Sequence, residues 1–453
     1  MRKIAITLMC SFVLLKGMAQ QAPPNKQTHN FSLQDCINYA YEHQDSVKNA
    51  KLDILSADQK VRETKGQGLP QVNGSISFQD FLKAPATVGP NFLSGAPIDP
   101  NAPLIQFPFG AVKYNNTYAI QASQLLFSGT FLVGLQAVKT YKELSERNLN
   151  RSRIQTNIAV TKAYYQVLVS NEQVKLLDAN INQLKQQVNE TTQQNKQGFV
   201  EKIDVDRLNV QYNNLVTNRD NVQRALTLNY AMLKFQMGMP IGDELMLTDK
   251  LSDINLESAA LENSVDTTFY RNRIEYQLLE TNKKLNELDV KAKKADLLPS
   301  IAAVGGYSAV FQENHTRYLY NHMYPSSYIG LNINIPIFSG FQRDARVKQS
   351  QFEVQKSQNM LNNAKNGLTL QATAARVSFV NSLNSLNNQK RNQALANEVL
   401  RVSKIKYGQG VGSSLEVTQA QTALETSDNE YIQALYDALI NKVNLDQAYG
   451  RIK

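Results

Sequence analysis

Proline is absent from residues 109 to 239 and again from 337 to 453, although the chain of 453 residues holds 13 prolines. A proline inside a helix removes one N–H and clashes with the preceding turn, so stretches this long without one are open to helices of unusual length. Both stretches are rich in Gln, Asn, Lys, Glu, Leu and Ala, which a helix interior accepts at little cost. A helix from about Gly129 to Gln197 would run roughly 100 Å at ~1.5 Å per residue, several times the width of an ordinary domain. That length suits a rod or a tunnel.

Glycines mark where each rod turns back. Gly198 leads into a helix over 201–237, and Gly408, Gly410 and Gly412 lead into one over 414–449, which predicts two antiparallel helical hairpins. From Val205 onward, Leu208, Tyr212, Leu215, Arg219, Val222, Leu226, Asn229 and Leu233 keep the three-four spacing of a coiled-coil seam. The seam is read as packing and not as a cofactor site. Many other helix positions are Asn, Gln, Ser, Thr and Lys, which suits a water-filled lumen and suits plain solvent exposure equally.

The chain repeats one plan. Leu69-Pro70 answers Leu298-Pro299, Phe127-Ser128-Gly129 answers Phe338-Ser339-Gly340, and Gln197-Gly198 answers Gln409-Gly410. The spans from Gly129 to Gly198 and from Gly340 to Gly410 are 69 and 70 positions. The first half carries 18 extra residues between its Leu-Pro and its Phe-Ser-Gly, and they fit a Pro- and Gly-rich loop near 84–110.

Between these landmarks the hydrophobic period changes to two. Ile329, Leu331, Ile333, Ile335 and Ile337 alternate with Gly330, Asn332, Asn334 and Pro336, the pattern of a strand with one apolar face. Val72, Gly74, Ile76 and Phe78 repeat the design, as do Tyr118, Ile120 and Ala122; a weaker fourth strand lies around Ile301–Phe311. A soluble sheet packed on helices shows the same alternation. Two hairpins with strands of roughly 9 to 12 residues, and Tyr and Phe toward their ends, also match the tilted span of a bilayer. Four strands cannot close a barrel, for which ~8 is the practical minimum, and an open edge in lipid leaves backbone groups unpaired. If these strands cross a membrane, several chains must share the barrel.

The N-terminus agrees with export. Arg2 and Lys3 precede an apolar run from Ile4 to Leu15 and the small-residue pair Gly17 and Ala19, so 1–19 is predicted to be a secretory signal with the mature chain beginning at Gln20. Cys10 belongs to that signal, and Cys36 alone cannot form an intrachain disulfide. The formal net charge of +9 is dispersed among acids and not gathered into a block, which argues against a nucleic-acid partner. No mature segment offers ~18 consecutive apolar residues, so a membrane span must be made of strands.

Nothing points to catalysis. The four histidines are scattered at 29, 43, 315 and 322, with no nucleophile elbow, phosphate-cradling loop or metal-ligand spacing, so the chain is read as no enzyme, with no cofactor and no metal. His315 and His322 fall in the predicted outer loop between the third and fourth strands, where solvation is the plain reading.

The whole mature chain resembles the TolC family of outer-membrane efflux proteins. The likeness rests on Phe31-Ser32-Leu33-Gln34-Asp35-Cys36-Ile37-Asn38-Tyr39-Ala40, on Leu-Pro before the first and third strands, and on Phe-Ser-Gly after the second and fourth. It also rests on Gly198 before Ile203-Asp204-Val205, Gly410 before Leu415-Glu416-Val417, and Gly238-Met239-Pro240 ahead of Leu245–Asp249. The resemblance implies a mixed α and β membrane protein, mostly long coiled-coil helical hairpins forming a periplasmic tunnel. It implies a homotrimer in which four transmembrane strands per chain build a shared twelve-stranded barrel in outer-membrane lipid. The implied domains are a first repeat at 20–238 (strands within 71–127, helical hairpin 129–237), an equatorial segment at 239–265, and a second repeat at 266–453 (strands within 300–338, helical hairpin 340–449).

The implied partners are a periplasmic adaptor protein and an inner-membrane pump, and the implied function is the exit duct of a tripartite efflux pump for small molecules. Alternatives are the duct of a type I protein secretion system and a surface coiled-coil adhesin; the adhesin would not need four greasy-faced strands. An ordinary porin would need more strands and no ~100 Å helices. The family's acidic aperture ring falls on Glu416, with Gln419 standing where a second acid is expected and Asp204 on the other tip. A helix-start role accounts for Glu416 as well. The family's adaptor contacts fall on Gly198, Phe199, Gly410 and Val411, and Gly412 replaces the basic residue often found there.

Overall fold

The computed structural model describes residues 28–83, 87–89, 105–107, 112–251 and 268–452. The predicted signal at 1–19, the mature start at Gln20, most of the loop near 84–110 and the later part of the equatorial segment lie outside the described residues. In chain order the elements are β1 (Thr28–Phe31), α1 (Leu33–His43), α2 (Asp45–Gly66), β2 (Gln71–Asp80), β3 (Thr87–Gly89), β4 (Ile105–Phe107), β5 (Tyr114–Phe127), α3 (Gly129–Lys196), α4 (Lys202–Met237), β6 (Glu244–Leu247), α5 (Ile274–Ala295), β7 (Ser300–Glu313), β8 (Tyr324–Asn334), α6 (Gln342–Gly408) and α7 (Ser414–Ala448). The two proline-free stretches become α3, of 68 residues, and α6, of 67.

Two compact units emerge, and each draws on both sequence repeats: residues 1–48, 152–269 and 370–453 form one, 49–151 and 270–369 the other. In the first unit, residues of α1, α3, α4, α6 and α7 bury one core that includes Cys36, Tyr164, Leu233, Phe379 and Leu439. The chain enters it through Ser32, whose hydroxyl accepts from Asp35 N while the Asp35 carboxylate accepts from Ser32 N, the reciprocal cap that the Ser-x-x-Asp spacing encodes. Phe31 belongs to β1 and not to the first helix; β1 pairs in parallel with β6. Asp249 then accepts from Leu33 N and from the Tyr164 hydroxyl, both at 2.9 Å, which ties the equatorial segment to the helix start.

The predicted seam of α4 packs on α3. Leu208 and Leu215 are buried against Leu177 and Leu184, with Tyr212 and Val222 beside them. The second hairpin closes the same way, Leu400 of α6 meeting Val417, Ala420 and Leu424 of α7.

In the second unit the four strands form one antiparallel sheet in the order β2-β5-β7-β8, the two hairpins joined through β5 and β7. In an antiparallel sheet, directly opposed residues share a face. The register sets Ile76 beside Tyr118 and Ala309, and Val72 beside Ala122, Gly305 and Ile329, so one face gathers apolar residues from all four strands, although Leu125, Val304, Val310 and Tyr324 fall on the other. The other face carries Asn73, Ser75, Ser77, Gln121, Ser308 and Asn332. The apolar face is bare: Ile76 is 73% exposed, Ile329 96% and Leu331 65%.

The last strand differs from its expected bounds. It begins at Tyr324 and stops at Asn334, leaving Ile335 and Ile337 outside the ladder. Pro336 supplies no N–H and restrains the residue before it, which ends the strand despite the continuing alternation.

Candidate functional site

Two helical tips belong to the first unit, and both are shaped by the same local chemistry. After α3 the Gly198 backbone has φ +79°, and after α6 Gly410 has φ +77°, in the left-handed region that costs glycine least. Each tip closes with a six-to-one backbone bond, Phe199 N donating to Gln194 O at 3.0 Å and Val411 N to Lys406 O at 3.1 Å, as in a Schellman motif. The residue after each glycine is thrown outward: Phe199 is 77% exposed and Val411 76%. The four residues singled out at the tips, Gly198, Phe199, Gly410 and Val411, therefore form two matching knuckles. A Cβ at Gly412 would lie 3.0 Å from Lys406 Cβ and from Tyr407 N, a tight approach that glycine avoids.

The acids beyond the knuckles have different surroundings despite equivalent places in the repeat. Asp204, in the first turn of α4, has a side chain only 19% exposed; it accepts from the Ser414 hydroxyl at 2.6 Å and faces Arg207 at 3.5 Å. Glu416, in the first turn of α7, is exposed, and its backbone N–H donates to the Ser413 hydroxyl, the helix cap. Gln419 is exposed one turn later on the same face. So Glu416 and Gln419 are brought together, while Asp204 is engaged with the opposite hairpin.

Above the tips lies a polar cluster that sequence reading missed. Asp428 is buried on α7 and accepts from Asn180 Nδ2 of α3 at 2.7 Å and from Gln393 Nε2 of α6 at 2.8 Å. One turn below, Glu425 accepts from Gln211 Nε2 of α4 and from Gln421 Nε2, both at 3.5 Å. Burial pushes the Glu425 carboxyl above its ordinary value of 4.5. The signal available in the sequence was an acid pair at i, i+3 inside the seam of α7, which is rare in a coiled-coil core.

Among the described residues no three His, Cys, Asp or Glu gather as a metal site, and no helix is long and apolar enough to cross a membrane. His315 and His322 are both exposed between β7 and β8.

An unclosed sheet with a bare apolar face, on a chain whose helices reach 68 residues and end in glycine knuckles, is the build of an outer-membrane channel protein. Comparison with known proteins agrees. The profile of the outer membrane efflux protein family matches residues 279–451. Outer membrane protein TolC of Salmonella enteritidis is 23% identical over 351 residues, 75% of this chain and 70% of that protein. The proteases secretion protein PrtF of Dickeya chrysanthemi is 22% identical over 300 residues, 65% of this chain and 64% of that protein. Among solved structures, CusC superposes with a TM-score of 0.74 at 17% identity, covering 96% of this chain and 95% of that one. Residues 279–451 thus match the outer membrane efflux protein family, the likeness to TolC extends over most of the chain, and its place is the outer membrane.

Proposed function

We propose that the chain is one subunit of a homotrimeric exit duct, its four strands forming a third of a twelve-stranded barrel and its helical hairpins a periplasmic tunnel below. The single observation that carries this reading is the sheet itself. Among the described residues β2 and β8 each leave one edge without a partner, and lipid does not tolerate a row of unpaired N–H and C=O groups, each costing several kcal/mol. Neighbouring copies satisfy both edges, β8 of one beside β2 of the next. The apolar face then meets lipid, and the amides and hydroxyls of the other face line the pore.

The duct serves a tripartite efflux pump, with a periplasmic adaptor engaging the knuckles at Gly198, Phe199, Gly410 and Val411 and an inner-membrane pump choosing the cargo. Glu416 lines the aperture, and Gln419 leaves its ring with half the carboxylates of an aperture holding two acids per chain. Likeness to PrtF supports a second reading, the duct of a protein secretion system. The test is a planar bilayer: purified mature protein inserts and conducts in steps, and a protein that inserts without conducting overturns the reading.

A further inference from the structure

The cluster around Glu425 holds more hydrogen-bond acceptors than donors. The carboxylate receives only two long amide bonds, and the same two amides, Gln421 and Gln211, each leave a buried Oε1 with no partner. Gln421 is 1% exposed, so bulk solvent does not reach its side chain. A cavity of about 30 Å³, room for one water, lies between α3, α4 and α7, and Asn180, Asn218, Glu425 and Asp428 are among its lining residues. A buried acceptor without a donor is costly, and here two stand beside a carboxylate.

Among the described residues no cation offsets the Glu425 carboxylate. On α7 the charged neighbour is Asp428, whose charge opposes a second one nearby. On α4, Asp206 and Arg207 line a groove that Glu425 also lines, and Arg207 pairs with Asp204. From α3 come Asn180 and Gln173, and from α6 comes Gln393, all amides.

We propose that Glu425 is a proton-binding site, neutral in the packed bundle, and that its carboxylic O–H donates to an orphaned glutamine oxygen and so ties α7 to α4. Two amide N–H groups already serve the oxygens of Asp428. Protonation adds the donor the cluster lacks and removes one of two neighbouring negative charges. Ionisation leaves an unpaired charge at the α4–α7 contact and loosens it. The sign follows from a raised carboxyl: the stabilising effect is complete below the ordinary value of 4.5 and is lost as pH rises through the elevated one. The site is a property of the folded hairpins and does not depend on the duct reading.

The experiment is an infrared pH titration of the intact detergent-solubilised protein, wild type against Glu425→Gln and Asp428→Asn. The expected result is a carboxylic-acid C=O band that persists above about pH 5, where ordinary carboxyls are ionised. The band is lost in Glu425→Gln and kept in Asp428→Asn. A spin-label pair at Asn214→Cys and Thr418→Cys, with Cys36 replaced by serine, reports the contact. Its distance lengthens as the band disappears, whereas Glu425→Gln holds the short distance at every pH. A band that survives Glu425→Gln, or a distance that ignores pH in the otherwise native chain, overturns the proposal. Thermal stabilisation by Ca²⁺ at neutral pH that Glu425→Gln abolishes would assign the site to a metal cation instead and overturn it as well.

Discussion

The Ser414 hydroxyl of one helical hairpin donates to the Asp204 carboxylate of the other at 2.6 Å. A hydrogen bond to a charged, half-buried acceptor is among the stronger kinds, so this contact joins the two tips. Ser414→Ala is expected to weaken it by about 1 kcal/mol and to leave Asp204 with Arg207 alone. A double-mutant cycle with Asp204→Asn, read by thermal unfolding, checks it: coupling near zero would mean the tips are held elsewhere.

Glu416 is exposed and Asp204 is engaged, so of the two acids Glu416 is the one proposed to carry the aperture charge. Glu416→Ala is expected to weaken block by multivalent cations added from the helical side by roughly tenfold, about 1.4 kcal/mol, and Gln419→Asp to strengthen it. Single-channel recording at fixed ionic strength measures both. Unchanged block in Glu416→Ala would remove the residue from the aperture.

Both tip glycines have open space where a Cβ would go but a left-handed backbone. Gly198→Ala and Gly410→Ala should therefore each cost about 1 kcal/mol through conformation alone. Asparagine, which tolerates that region, should cost less at either position. Equal losses for alanine and asparagine, measured by chemical denaturation, would point to a contact and not to backbone strain.

Asp428 serves two amides on two other helices, and removing it strands both. Asp428→Ala is expected to destabilise by about 2 to 3 kcal/mol, and Asp428→Asn by less because one oxygen still accepts. Thermal unfolding in detergent compares them.

The Cys36 thiol is buried, and its pKa is pushed up to about 12 by burial first and then by Asp35 and Asp249. The thiolate is the reactive form, so the folded protein should resist maleimide at neutral pH and react once denatured. Rapid labelling of the native protein would show that α1 leaves the core.

Much of this was legible in the sequence because periodicity and punctuation act locally. The lack of proline over 109–239 and 337–453 announced α3 and α6, and the glycines at 198 and 410 announced their ends. The alternation at 72–79 announced β2. Where competing local signals met, the reading slipped. Ile335 and Ile337 continued a pattern that Pro336 had already stopped. What stayed hidden was tertiary. The sequence repeat equates Asp204 with Glu416, and only the approach of Ser414 from the other hairpin distinguishes them. The partners of Asp428 lie on α3 and α6, and Gln211, which serves Glu425, lies on α4, beyond the reach of spacing rules.

The central claim is that the two bare edges of the sheet are completed by other copies. The most direct measurement places one cysteine on β2 at Ser75 and one on β8 at Asn332, both on the polar face, with Cys36 replaced. The protein is then treated in outer-membrane vesicles with a short bifunctional thiol reagent. The account predicts a covalent ladder that stops at three chains and needs both cysteines; a chain that stays monomeric, or joins only within itself, would contradict it.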